Sequence, residues 1–234
     1  MSDSLLHNLE IINSRIAKAC LEAGRDRDEV KLLLATKTIT PERIKIAINA
    51  GETLIAENKV QELKDKYEAL KDTPHTNHFI GHLQTNKIKD LLKCDVACLQ
   101  SVDRWDLAEK LHKKLEQEGR EMEILVQVNT SNEESKFGAT PEETIDLVKR
   151  IAQLPTLKIK GLMTIGVFSS DTDEVRACFR LLKQLQQDII AENIPNVEMK
   201  ELSMGMSGDL EIAIEEGATI IRVGTAIFGE RIYS

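Results

Sequence analysis

A chain of 234 residues with 41% hydrophobic and 30% charged residues holds enough apolar material for a sizeable core and too much for a disordered segment. A net charge of −8 and an aromatic content of 3% exclude a nucleic-acid surface made of basic patches and stacking rings. No stretch reaches the roughly 18 consecutive apolar residues of a membrane span, and the N-terminus lacks a signal-peptide pattern, so a cytoplasmic protein with no membrane or nucleic-acid partner is expected.

In chain order, an amphipathic helix is expected at residues 4–23, in an N-terminal segment (1–25) that packs on the remainder. Short apolar runs then alternate with helical patterns. Strands are expected at 30–37, 53–58, 78–81, 98–102, 123–129, 159–165, 201–206 and 220–225, and several are apolar throughout, as strands covered on both faces must be. The helix in "TPERIKIAINAG" has Thr40 as N-cap, Pro41 at its first position and Gly51 as a left-handed stop. "TPEETIDLVKRIAQLP" repeats the device with Thr140, Pro141 and a closing Pro155.

Eight strand–helix units without a linker predict one (β/α)8 barrel of the TIM type spanning residues 1–234. A doubly wound sheet would place a glycine-rich phosphate fingerprint after its first strand, where this chain has "ATKTIT". Cys20, Cys94, Cys98 and Cys178 form no C-x-x-C pair and are expected to be buried thiols. The five histidines are scattered, and no metal site is expected.

In such a barrel the carboxyl ends of the strands share one mouth, which gathers Lys37, Asn58, Gly81, Asn129, Ile165, Met206 and Thr225. After the seventh strand, Ser207, Gly208 and Asp209 are expected to open a helix whose N–H groups can hold a phosphate. After the eighth, Gly224 allows close backbone approach and Thr225 offers a hydroxyl. Arg222, inside a short apolar strand, needs a partner: either an acid such as Glu57 or a ring nitrogen of a bound cofactor. An amine, a phosphate cup and a buried arginine at one mouth are the parts of a pyridoxal 5'-phosphate site.

The stretches "LLATKT", "AENKVQE", "HFIGHLQTNK", "VNTSNEESKFG", "IKGLMTIG", "LSMGMSGDLEIAIEEGATIIRVGTAIFG" and "RIYS" together resemble the pyridoxal phosphate homeostasis proteins, whose barrel is similar to the N-terminal domain of alanine racemase. The resemblance implies a Schiff base on Lys37, a phosphate held by Ser207, Gly224 and Thr225, and Arg222 facing the pyridine nitrogen. It puts Ser203 and Met206 in the same cup, Asn58 and His78 beside the cofactor, and Lys136 near the mouth as a second amine. Ile165 falls where alanine racemases place a histidine. The chain departs from the family pattern at Ala56, where a glycine is usual, at Lys59, where an aromatic residue is usual, and at His82, where a proline is usual.

The function implied is a monomeric carrier that holds pyridoxal phosphate, exchanges it with small amines or amino acids, and supplies transient acceptor enzymes. Strong catalysis is not expected, because alanine racemases take a second base, a tyrosine, from a C-terminal domain with no counterpart here. The only tyrosines are Tyr67 and Tyr233. The alternatives are a weak amino-acid racemase and a binding module for another phosphorylated ligand.

Overall fold

The computed structural model describes residues 2–133 and 135–229. Among these, eight parallel strands close into a barrel in sequential order: β1 (Lys31–Ala35), β2 (Leu54–Glu57), β3 (Thr76–Phe79), β4 (Val96–Val102), β5 (Met122–Gln127), β6 (Leu157–Met163), β7 (Val197–Ser203) and β8 (Ile220–Val223). The helices α2 (Pro41–Asn49), α3 (Val60–Leu70), α4 (Ile88–Leu92), α5 (Trp105–Glu118), α6 (Pro141–Ile151), α7 (Thr172–Ala191), α8 (Leu210–Glu215) and α9 (Thr225–Phe228) follow the strands in turn. The expected (β/α)8 architecture is the one formed.

Side-chain parity explains why nearly continuous apolar strands were required. On β1, Leu32 and Leu34 pack outward among the helices, while Leu33 points into the barrel with Ala56, Cys98, Leu125, Met163 and Ile220. All four cysteines are buried and unpaired. The first helix, α1 (Ser2–Glu22), buries Leu5, Leu9, Ile12 and Ile16, spaced for one helical face. Arg15 fastens it to α8 through a two-pronged contact with Glu211, at 2.7 and 2.9 Å. Asn8 donates to the Ile227 carbonyl of α9 at 3.1 Å. α1 therefore braces the units that follow β7 and β8.

Several expectations need correction. β7 runs over Val197–Ser203 rather than 201–206, and β6 over Leu157–Met163 rather than 159–165. β3 runs over Thr76–Phe79 rather than 78–81, which moves His78 into the middle of its strand. The helix after β7 starts at Leu210, and Ser207–Asp209 form a turn ahead of it. Asp209 folds back to accept the Met206 N–H at 2.5 Å and gives its own N–H to the Met206 carbonyl at 3.2 Å, so side chain and backbone close that turn together. Thr40 occupies the N-cap of α2 but its hydroxyl makes no capping bond, whereas Thr140 accepts from the Glu143 N–H at α6.

Candidate functional site

Lys37 lies two residues beyond β1, half-buried, between two backbone positions that are both pinned. Thr36 is fully buried and its hydroxyl donates to Glu57 Oε1 at 2.7 Å. Thr38 has φ +65°, a left-handed conformation that a β-branched residue rarely adopts, and its N–H is taken by Glu62 Oε2. Lys66, on α3, joins the two sides. Its ammonium donates to the Thr36 carbonyl (2.9 Å), Glu57 Oε1 (2.6 Å) and Glu62 Oε2 (3.1 Å). Burial raises the Glu57 carboxyl above its ordinary value, against the opposing pull of Lys66.

The neighbours of β1 in the barrel are β2 and β8, so the rim around Lys37 belongs to Asn58 on one side and Gly224 on the other. Asn58 Oδ1 is buried without a hydrogen-bond partner among the described residues, an acceptor that a bound donor could satisfy. A Cβ on Gly224 would lie 3.0 Å from the Ala35 carbonyl, so the end of β8 approaches the end of β1 more closely than a side chain comfortably permits. Gly224 caps α9 and Thr225 begins it, exposed at the rim. Met206 and Ser207 sit half-buried in the turn after β7. Lys37, Asn58, Met206, Ser207, Gly224 and Thr225 are thus brought to four adjacent strands, β7, β8, β1 and β2.

Arg222 points inward from β8 and is 5% exposed. Its partners are a hydroxyl and a carbonyl: Nη1 donates to Ser203 Oγ at 2.9 Å and Nη2 to Thr164 O at 2.7 Å. The pairing with Glu57 considered from sequence does not occur, because Glu57 faces outward from β2 and is taken by Lys66 and Thr36. Burial lowers the guanidinium to about 10, with Asp209 opposing, which leaves it charged at neutral pH. A guanidinium carries five donors, so Arg222 has more than its two protein acceptors use.

His78 is set in the barrel floor rather than at the rim. It lines a cavity of about 230 Å³ at the amino-terminal ends of the strands, together with Lys31, Cys98, Glu123, Lys160 and Glu201. Burial, helped by Lys31, pushes its imidazole down to about 4, so it is neutral in the folded protein. A histidine depressed from its ordinary 6.5 stabilises the fold above that value, and the contribution is lost as pH falls toward about 4. The loss amounts to roughly 3 kcal/mol at most. Urea unfolding of the native protein and of His78→Gln across this window should therefore converge or cross on acidification. Parallel profiles would show that the histidine does not titrate differently on folding.

Lys136 lies in the loop after β5, where its ammonium is engaged by Glu133 Oε1 at 2.6 Å and the Gly166 carbonyl at 2.7 Å. Phe137 beside it stacks on His82 with ring centroids 3.8 Å apart, and Ile165 stands exposed on the neighbouring loop. Tyr67 points away from the mouth: its hydroxyl donates to Asp95, which precedes β4 at the opposite end of the barrel. Tyr233 and the closing "RIYS" lie outside the described residues.

Sequence reasoning missed Gln100, Lys66 and Glu62. Gln100 is a fully buried polar residue on β4, inward-facing by parity with Cys98, and that parity in "VACLQSV" was the available signal.

Residues 28–232 match the family model of the alanine racemase N-terminal domain. A pyridoxal phosphate homeostasis protein from Aquifex aeolicus is 45% identical over 225 residues, which is 96% of this chain and 97% of that protein. This chain belongs to the pyridoxal phosphate homeostasis protein family. A human member of the homeostasis family is 38% identical over 238 residues, covering 97% of this chain and 86% of its own length. Among solved structures, PipY of Synechococcus elongatus with PLP bound superposes with a TM-score of 0.81 at 32% identity, covering 93% of this chain and 100% of PipY. An alanine racemase from Clostridium difficile shares the barrel at a TM-score of 0.80 and 13% identity; the match covers 99% of this chain and 61% of the racemase, and shows the fold alone.

Proposed function

We propose that this protein binds pyridoxal 5'-phosphate at the carboxyl mouth of the barrel, as a Schiff base on Lys37, and serves the intracellular balance of that cofactor and of amino acids. The observation that carries the proposal is Arg222: a buried cation with no carboxylate in ion-pair contact among the described residues, held on the wall that also bears Gly224 and neighbours Lys37. Retaining such a charge calls for an acceptor from outside the chain. The homeostasis-protein relatives and the PLP-bound PipY, which is 32% identical, support the same reading.

The residues fit the group. The Met206–Asp209 turn with Ser207, and Gly224 with Thr225, would hold the phosphate, Asn58 would complete the rim, and Arg222 would face the ring nitrogen. The cofactor, when bound, supplies an aldehyde that amines condense with and an electron-withdrawing ring. Arg222 donates but gives up no proton, so it would leave a ring nitrogen opposite it unprotonated. Tyr67 is committed to Asp95 and Lys136 to Glu133, and neither supplies an unencumbered base across from Lys37. A carrier is therefore the better reading than a racemase. Small amines, amino acids and acceptor enzymes are its proposed partners, and a cytoplasmic monomer its proposed form. No helix of the described residues is long and apolar enough to cross a membrane.

The test is borohydride reduction of protein loaded with the cofactor, followed by peptide mass mapping, for the native chain and Lys37→Ala. A reduced adduct at Lys37, absent from the variant together with visible absorption, is expected. An adduct mapped to Lys136 instead, or none in the native protein, would overturn the assignment.

A further inference from the structure

Three hydrogen bonds, two buried and the last part-buried, run across the barrel below Arg222. Arg222 Nη1 donates to Ser203 Oγ at 2.9 Å, Ser203 Oγ to Gln100 Oε1 at 2.6 Å, and Gln100 Nε2 lies 2.7 Å from His78 Nδ1. Ser203 and Gln100 have no exposed surface. The path leaves β8 for β7, crosses the interior to β4, and ends on β3 at the floor cavity.

The chain has only one workable direction. A guanidinium has donors and no acceptor, so Ser203 Oγ must accept from Arg222. The hydroxyl proton then goes to Gln100 Oε1, the other partner of Ser203 Oγ among the described residues, which turns the Gln100 NH2 toward His78. Nδ1 of His78 must therefore accept, and its ring proton sits on Nε2. A protonated imidazole has donors at both nitrogens and would leave the Gln100 NH2 facing an N–H.

We propose that Gln100 and His78 are positioning residues for Arg222: with Ser203 they form a one-way hydrogen-bond chain, anchored in the barrel floor, that orients the guanidinium toward the cofactor. The inference rests on the reading that Arg222 faces the ring nitrogen. Neither residue touches the cofactor site itself. Their part is to fix which way the Ser203 hydroxyl points, and through it the plane of the guanidinium. A glutamine is suited to the middle because it has one donating and one accepting end. A glutamate there would accept at both ends, and the His78 end would have to reverse. The charged groups around His78 are Lys31 from β1, Glu123 from β5, Lys160 from β6 and Glu201 from β7, with Lys31 and Glu201 paired to one another. The burial that holds the imidazole near 4 keeps it in the accepting state over the neutral range.

Two measurements test this. Nitrogen-15 NMR of the histidine ring, on protein free of cofactor, should show native His78 neutral with its proton on Nε2. In Gln100→Glu the proton should appear on Nδ1, alone or as the imidazolium. A native Nδ1–H tautomer, or no change in Gln100→Glu, would overturn the chain. Titration of pyridoxal phosphate followed by absorbance should show Gln100→Leu binding on the order of tenfold more weakly than the native protein, with a displaced absorption maximum. Equal affinity and an unchanged spectrum would overturn the positioning role while leaving the cofactor reading intact. Failure of the native protein to take up the cofactor would remove the proposed function, and the NMR result would still decide the chain. If Gln100→Leu does not fold, Gln100→Met, closer in shape, provides the binding comparison.

Discussion

Replacing Lys66 with methionine is expected to cost about 3–5 kcal/mol of stability, the range for breaking one side of a buried ion pair. The Lys66 and Glu57 side chains are 11% and 3% exposed, and one ammonium serves Glu57, Glu62 and the Thr36 carbonyl together. Methionine fills the space of the stem but leaves the Glu57 carboxylate without a counter-charge. Glu57 is already raised by burial, and loss of Lys66 raises it further, so the folded variant favours the protonated carboxyl more than the native protein does. A group raised in the folded state favours folding at lower pH. The deficit should therefore be largest at and above neutral pH and shrink on acidification toward the ordinary carboxylate range. Urea unfolding at two pH values checks this, and a pH-independent deficit would refute it. The double variant Glu57→Leu/Lys66→Met should recover most of the loss, since buried pairs are often replaceable by apolar groups.

The same variant should bind pyridoxal phosphate more slowly even where it remains folded. Thr38 is held at φ +65° by the carboxylate of Glu62, and Thr36 by Glu57, so Lys66 ties down the backbone on both sides of Lys37. This support was illegible in the sequence for a physical reason. Glu62 and Lys66 are one helical turn apart, a spacing that reads as a solvated surface pair, and nothing local reveals that α3 turns that face onto the end of β2. The barrel was legible, because apolar runs such as "KLLLA" and "IIRV" at regular intervals admit few folds.

Rim residues next to glycine or following such runs were legible too: Lys37, Gly224 and Thr225 lie where strand ends predict. The start of β3 was hidden because it opens with two polar residues, Thr76 and Asn77. Reading the strand two residues late puts His78 at its first position, about 7 Å farther from the mouth than the third position it occupies, at roughly 3.3 Å per residue. What neither reading revealed is its place beside Cys98, its partner on β4, at the far end of a hydrogen-bond chain that links residues distant in sequence. Pairings of that kind leave only parity as a trace.

Gly81→Ala is expected to destabilise the protein by roughly 3 kcal/mol or more, the upper end of overpacking, and to damage the proposed cofactor rim at the same time. A Cβ at position 81 would stand 1.9 Å from the Asn58 carbonyl oxygen and 2.6 Å from its carbon. These are backbone atoms with no rotamer to yield, and Gly81 is held from the other side by Ser101, whose hydroxyl donates to its carbonyl at 2.6 Å. The collision can be relieved only by parting the ends of β2 and β3, which moves Asn58 and its buried Oδ1. At Gly224 an added methyl would meet the Ala35 carbonyl at 3.0 Å, a contact relieved by a few tenths of an ångström. Gly224→Ala should thus cost only about 1 kcal/mol, while reducing cofactor affinity by more than its stability loss explains, because it narrows the proposed phosphate cup. Gly208 has open space around it, and Gly208→Ala should lie within about 0.5 kcal/mol of the native protein. Thermal and urea unfolding of the three variants, with cofactor titration of those that fold, separate the effects. Equal losses at positions 81 and 208 would mean that the β2 and β3 ends are not in contact as described. A graded series would show that the mouth is shaped by how closely bare backbone comes together between neighbouring strands, so that the side chains on the rim hold their places because the glycines beneath them have none.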